Sequence, residues 1–148
     1  MALRRLTAVA LTLAAFTLSA AAAAKTTVTG TFPCRWNYTL YVGLHAGYET
    51  GGENADCTGT PGTLTLAARL YRSPAGSHTW RLVRSPSRSW THPTGNRYVE
   101  FSQPCTAGRI RAVFTWTFHD PHGRLVARNT VTTAPINDTG PGCKIILR

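Results

Sequence analysis

Two histidines bracket an aspartate and a proline in His119-Asp120-Pro121-His122, part of FTWTFHDPHGRLV, in a chain with only five histidines. Two imidazoles this close have the chemistry to ligate a transition metal or relay a proton. A metal centre needs at least a third protein ligand, and no further histidine or carboxylate stands nearby in sequence. The same residues also spell a turn: Asp120 suits its first position, Pro121 presets the second and Gly123 suits the fourth. A turn is the expectation, and no metal site is assigned.

A second group is His45, Tyr48, Glu49, Glu53 and Asp56, within GLHAGYETGGENADCTGTPG at residues 43–62. This stretch has the longest run without a strand pattern, and a loop of that length in a small domain is functional or mobile. Glutamate, histidine and arginine are the parts that small secreted ribonucleases use as base, acid and phosphate clamp. His45 with Glu49, or His92 with Glu100, supplies those types, yet their spacing is also that of polar residues on a solvated loop. Glu49, Glu53, Asn54 and Asp56 do not follow the order of a calcium loop. No serine elbow, phosphate-cradling glycine loop or zinc-binding histidine helix occurs. No catalytic residue and no cofactor are assigned.

The third group mixes arginine with aromatics: Arg81, Arg84, Arg88, Trp90, Arg97 and Tyr98, joined by Arg109 and Arg111. The net charge is +10, and nearly all of the excess falls after Cys57. Such a field attracts polyanions, and basic side chains among exposed rings suit nucleic acid, anionic polysaccharide or lipid headgroups. The plainer reading buries Trp80 and Trp116 and lets the arginines keep an edge soluble.

Positioning these residues falls to strands. In RIRAVFTWTF, Ile110, Ala112, Phe114, Trp116 and Phe118 alternate with Arg109, Arg111, Val113, Thr115 and Thr117, which is a strand with one buried face. GTLTLAARLYRS sets Leu64, Leu66, Ala68 and Leu70 against Arg69 and Tyr71, and RWNYTLYV sets Trp36, Tyr38, Leu40 and Val42 on one side. Shorter candidates are TVTGTF, TWRLV, RYVEFS, RLVARNTVTT and KIILR. Seven or eight strands divided by Gly, Pro, Ser and Asn clusters predict an all-β antiparallel sandwich or barrel.

Ahead of them, MALRRLTAVALTLAAFTLSAAAAAK has two arginines, an uncharged run and a small-residue end, the pattern of a cleavable secretory signal over 1–24. Cleavage after Ala22 or Ala24 satisfies the small-residue rule, and Ala24 is preferred. Residues 25–148 then form one domain, secreted and extracellular, with no stable membrane insertion. Cys34, Cys57, Cys105 and Cys143 read as two disulfides in that oxidising setting. If 109–118 and 124–133 form a hairpin, Cys105 and Cys143 meet at its open end, leaving Cys34 and Cys57 to staple the 43–62 loop.

TLTLAA, then Trp80 in HTWRLV, then AGRIRAV resemble the B, C and F strands of immunoglobulin-like domains, over roughly residues 60–133. Leu66 and Ala112 stand where that family has its intersheet cysteines, and Ile110 where it has a tyrosine. The overall style resembles small secreted actinobacterial proteins. The resemblance implies an immunoglobulin-like β-sandwich. Together these features predict a secreted, non-catalytic binding or interaction module for an extracellular or cell-surface partner, an anionic polysaccharide or a protein. Its candidate binding residues are Arg81, Arg84, Arg88, Trp90, Arg97, Arg109 and Arg111. The alternatives are a small secreted hydrolase such as a ribonuclease, and an inhibitor or toxin that works through the 43–62 loop.

Overall fold

The computed structural model describes residues 25–30, 32–45 and 47–140. The expected signal, the KIILR strand and Cys143 lie outside the described residues, as does the side chain of His45. Among the described residues there are ten strands, rather than seven or eight: β1 (Lys25–Thr29), β2 (Cys34–His45), β3 (Tyr48–Thr58), β4 (Thr63–Ser73), β5 (Arg81–Arg84), β6 (Ser87–Thr91), β7 (Thr94–Pro104), β8 (Gly108–His119), β9 (Leu125–Thr132) and β10 (Ile136–Asp138). Among the described residues no helix is long and apolar enough to cross a membrane.

The strands form two antiparallel sheets. The larger runs β1-β9-β8-β4-β5, with β10 beside β9 on the same flank of β8 and β6 beside β5 on the same flank of β4. The smaller is β2-β3-β7. Alternation places Leu64, Leu66, Ala68 and Leu70 of β4, and Ile110, Ala112, Phe114, Trp116 and Phe118 of β8, on the inner face, all buried. Opposite them stand Ala55 and Cys57 of β3 and Val99 and Phe101 of β7. Aromatic pairs close the gap between the sheets: Trp36 lies edge-on to Trp116 at 6.3 Å, and Tyr38 lies 5.4 Å from Phe114.

The segments that resemble B, C and F strands are β4, β5 and β8, and they lie side by side in one sheet. In immunoglobulin-like domains B faces C and F across the core. Trp80 accordingly stands outside the core, half-buried on the outer face of the large sheet.

The expected 43–62 loop is corrected to strand: residues 43–45 finish β2 and 48–58 form β3, the centre of the small sheet. Composition hides β3. Its inward positions are Glu49, Gly51, Glu53, Ala55 and Cys57, so no apolar alternation is visible. Gly51 is required there because a Cβ would come within 2.6 Å of the Phe101 ring. Cys34 and Cys57 are directly paired across β2 and β3 and bonded, with Cα atoms 4.4 Å apart. The bridge locks two neighbouring strands instead of stapling a loop. Cys105 is also disulfide-bonded.

One charge is placed between the sheets. Arg72, at the inner end of β4, donates to Glu49 of β3, to the Thr106 carbonyl in the β7–β8 connection, and to Asp138 of β10 at 3.4 Å. Gln103 of β7 donates to the other Glu49 oxygen at 2.7 Å, and the Thr106 and Gly140 amides donate to Asp138 at 2.8 Å each. Every one of these carboxylate oxygens therefore has a donor, which is what makes a buried charge tolerable. Replacing Arg72 with methionine keeps the volume and leaves two buried carboxyls without their cation. We expect Arg72→Met to lose about 3–5 kcal/mol in urea unfolding, with a larger loss at pH 8 than at pH 5. A loss below ~1 kcal/mol would show that the cluster is incidental.

Candidate functional site: an arginine–aromatic sheet face

The outer face of the large sheet carries the side chains that alternate with the core residues. From β4 these are Thr63, Thr65, Ala67, Arg69 and Tyr71; from β8, Arg109, Arg111, Val113, Thr115 and Thr117; from β9, Arg128, Thr130 and Thr132. Threonine hydroxyls bond across it, Thr115 to Thr130 at 3.2 Å and Thr65 to Ser89 of β6 at 2.7 Å. At one end the face becomes aromatic and basic. The Arg111 guanidinium carbon lies 4.3 Å from the centre of the Trp80 ring and 5.7 Å from that of Tyr71. Arg109 lies 5.5 Å from Trp80 and donates to the Ser77 carbonyl at 3.0 Å. Stacking of this kind attracts by about 0.5–2 kcal/mol; both arginines are half-buried, and the Arg111 Nε is buried without a hydrogen-bond partner. A cleft of about 390 Å³ opens beside Arg109, lined in part by Ser77, His78, Gly108 and Asn137.

The sequence-predicted residues divide. Arg109 and Arg111 are on the face itself. Arg81 and Arg84 on β5, and Arg88 on β6, are exposed on edge strands, but they pair with the inward Arg72, Leu70 and Leu66 and so share the core side of the sheet rather than this face. Trp90 packs half-buried against the core, so Trp80 takes its place as the aromatic platform. Arg97 belongs to β7 in the other sheet, paired with Ala55, with its Nε buried and unpartnered. Arg69 and Arg128 also occupy this face, Arg69 beside Val113 and Arg128 beside Thr117 toward its other end; the alternation of GTLTLAARLYRS already placed Arg69 opposite the leucines.

Carboxylates are missing from this face. Six acidic residues exist in the chain. Glu49, Glu53 and Asp138 are buried between the sheets, and Asp56 and Glu100 belong to the outward positions of β3 and β7. The sixth, Asp120, is bound to Arg124 at 2.8 Å in the hairpin turn. Among the described residues the ion pairs join Arg72 to Glu49 and Asp138, and Arg124 to Asp120; the arginines of the face and of the edge strands have no such partner.

The histidine pair is a turn, as its composition predicts. The Gly123 amide donates to the Asp120 carbonyl at 3.0 Å, and the Asp120 side chain accepts from the His122 and Arg124 amides. With Gly123 at φ 78°, this is a type I turn closed by a left-handed residue, a common three-residue hairpin. The hydrogen bonds from Arg124, chiefly its backbone amide, hold the Asp120 carboxyl below its usual range. Among the described residues no three His, Cys, Asp or Glu side chains converge on a metal position. His92 and Glu100 are separated by most of β7, about 20 Å of extended chain, so they form no acid–base pair.

Glu49 and Glu53 are not on a solvated loop but buried between the sheets. Burial raises the Glu49 carboxyl to about 7, and the neighbouring Asp138 pushes the same way against Gln103 and Arg72. Burial raises Glu53 to about 8, against the Trp36 indole N–H that donates to it at 2.8 Å. Its other oxygen meets no partner. Comparison with protein-family models, curated proteins and solved structures returns no match.

Both glutamates bind a proton more tightly folded than unfolded. Their contribution to stability is therefore complete below the unfolded value near 4.5, and it declines as pH rises through about 7 for Glu49 and about 8 for Glu53. Each group adds a slope of at most ~1.4 kcal/mol per pH unit. We expect urea midpoints to fall between pH 5 and 8, and Glu53→Gln to flatten that decline without loss at pH 5. An unchanged slope in the variant would assign the decline elsewhere.

Proposed function

We propose that the chain is a secreted, non-catalytic binding module whose large-sheet face engages a polyanion, with anionic polysaccharide as the ligand class. The observation that carries this reading is the segregation of charge. Arg69, Arg109, Arg111 and Arg128 on the face have no carboxylate partner among the described residues. Two of the four are held over aromatic rings. A planar guanidinium presents paired donors that match sulfate and carboxylate oxygens, which a lysine ammonium does not do.

Secretion is supported by the charged, then apolar, then small-residue order of the first 24 residues and by the use of cysteine in disulfides. From the immunoglobulin-like resemblance, the packing of two antiparallel sheets supports a binding module, although the strand order differs. With residues 43–45 and 48–58 built into the small sheet, an inhibitory loop over 43–62 is not carried forward.

Heparin-agarose chromatography tests the reading. The protein is expected to stay bound above about 0.3 M NaCl, where simple long-range attraction is screened to a few ångströms. The double variant Arg109→Ala/Arg111→Ala should elute earlier, and its binding should depend less on salt by about one unit of log–log slope per lost contact. Arg124→Ala removes a charge at the hairpin tip, so its elution should shift little. A shift for Arg124→Ala at least half that of the double variant, which removes two charges to its one, would mean that net charge alone binds heparin and that the face is not a site.

A further inference from the structure

The opposite side of the sandwich has a different chemistry. A groove of about 760 Å³ runs over the outer face of the small sheet, within the size range of ligand sites. Its floor is Gly52, in the middle of the central strand. A Cβ there would sit 2.7 Å from the Val99 carbonyl and 3.2 Å from the Glu100 Cα, so the strand cannot carry a side chain at that point. The walls come from cross-strand neighbours. Thr39 and Glu100 flank Gly52 in register, Tyr98 stands beside Asn54, and Ser102 stands beside Thr50. The Tyr98 side is open, with the residue 51% exposed. Asn54 is oriented by the hydrogen bond its Nδ2 donates to Asn96 Oδ1 at 3.0 Å.

The residue types select the ligand. The groove's lining includes no lysine or arginine, and Glu100 repels anions, so the polyanion proposed for the other face has no place here. A protein partner would call for a core of apolar and aromatic side chains depleted in serine and acidic residues, and this lining is mostly hydroxyl, amide and carboxylate. A neutral sugar fits both halves of the chemistry. Its C–H face packs on an exposed aromatic ring, and its hydroxyls, each a donor and an acceptor, pair with amides, hydroxyls and a carboxylate. We propose that the outer face of the β2-β3-β7 sheet is a binding groove for a neutral oligosaccharide. Tyr98 is its stacking platform beside Asn54, Gly52 is its bare floor, and Asn54 and Glu100 are its hydroxyl-bonding residues. This site is independent of the arginine face.

The test is calorimetric titration of the purified protein in about 0.5 M NaCl, which suppresses exposed charge attraction. The probes are linear neutral hexasaccharides of glucose, xylose, mannose and N-acetylglucosamine. At least one is expected to bind, with affinity reduced about tenfold by Tyr98→Ala, largely retained by Tyr98→Phe, and weakened by the shape-preserving Glu100→Gln. Arg109→Ala/Arg111→Ala should leave that affinity unchanged. The proposal is overturned if none of the four probes binds at millimolar concentration, if binding is indifferent to both Tyr98→Ala and Glu100→Gln, or if it depends on the arginine pair.

Discussion

A single guanidinium placed between two sheets sets terms that the rest of this fold meets. Arg72 continues the inner row of β4 after Leu64, Leu66, Ala68 and Leu70, where a fifth apolar residue would be the simple choice. Its charge obliges β3 to supply Glu49, β7 to supply Gln103, β10 to supply Asp138, and the β7–β8 connection to turn the Thr106 carbonyl inward. Removing any one member leaves others uncompensated in a low-dielectric interior, so the cluster acts as a unit. It also explains a strand as short as β10: three residues hold their place beside β8 because Asp138 is anchored in the interior. Two carboxyls around one cation exceed charge balance by one. A proton on Glu49 restores that balance, in keeping with its raised value.

This arrangement governs how much of the fold could be seen in the sequence. β4 and β8 are legible because their inner rows are apolar and their outer rows polar, and RIRAVFTWTF lies wholly within β8. The turn at Asp120-Pro121-His122-Gly123 is legible because its residues have local dihedral and hydrogen-bonding preferences that need no tertiary partner. β3 is not legible. Its inner positions hold two glutamates and a glycine whose justification comes from Arg72, Trp36 and Phe101, all distant in sequence. A run such as YETGGENADCT reads as loop by every local criterion, and only long-range partners make it the central strand of a sheet. β6 and β10 escape for a simpler reason: a five-residue edge strand and a three-residue strand contain too few alternations to stand out.

The candidate site was half visible for the same reason. Alternation alone placed Arg109 and Arg111 outward together, since both lie on one regular strand. It could not report which aromatic they meet. Trp80 opens the short TWRLV run, just ahead of β5, and β5 pairs with β4 across a register shift between Leu70 and Tyr71, so the face it meets was not readable from alternation. Arg97 and Trp90 were grouped with the others by proximity in sequence. The chain, however, passes from the large sheet to the small one between β6 and β7, which sends Arg97 to the other sheet.

Burial of acids and exposure of bases are two sides of one distribution. Three of the six carboxyls are consumed in the interior and one in the hairpin turn, so the outer face of the large sheet is left basic without any dense run of basic sequence. The preference for arginine over lysine then has a structural consequence, whatever its origin in composition. Inside, the planar fork of Arg72 reaches a carbonyl and two carboxyls on different elements at once, which a single ammonium on a longer tether would do with poorer geometry. Outside, Arg109 and Arg111 lie over Trp80, where a flat, weakly hydrated cation loses less on stacking than an ammonium does. The same side-chain geometry thus serves as an internal clamp and as a preoriented external donor array, and the separation between the two roles is made by which side of β4 and β8 each residue occupies.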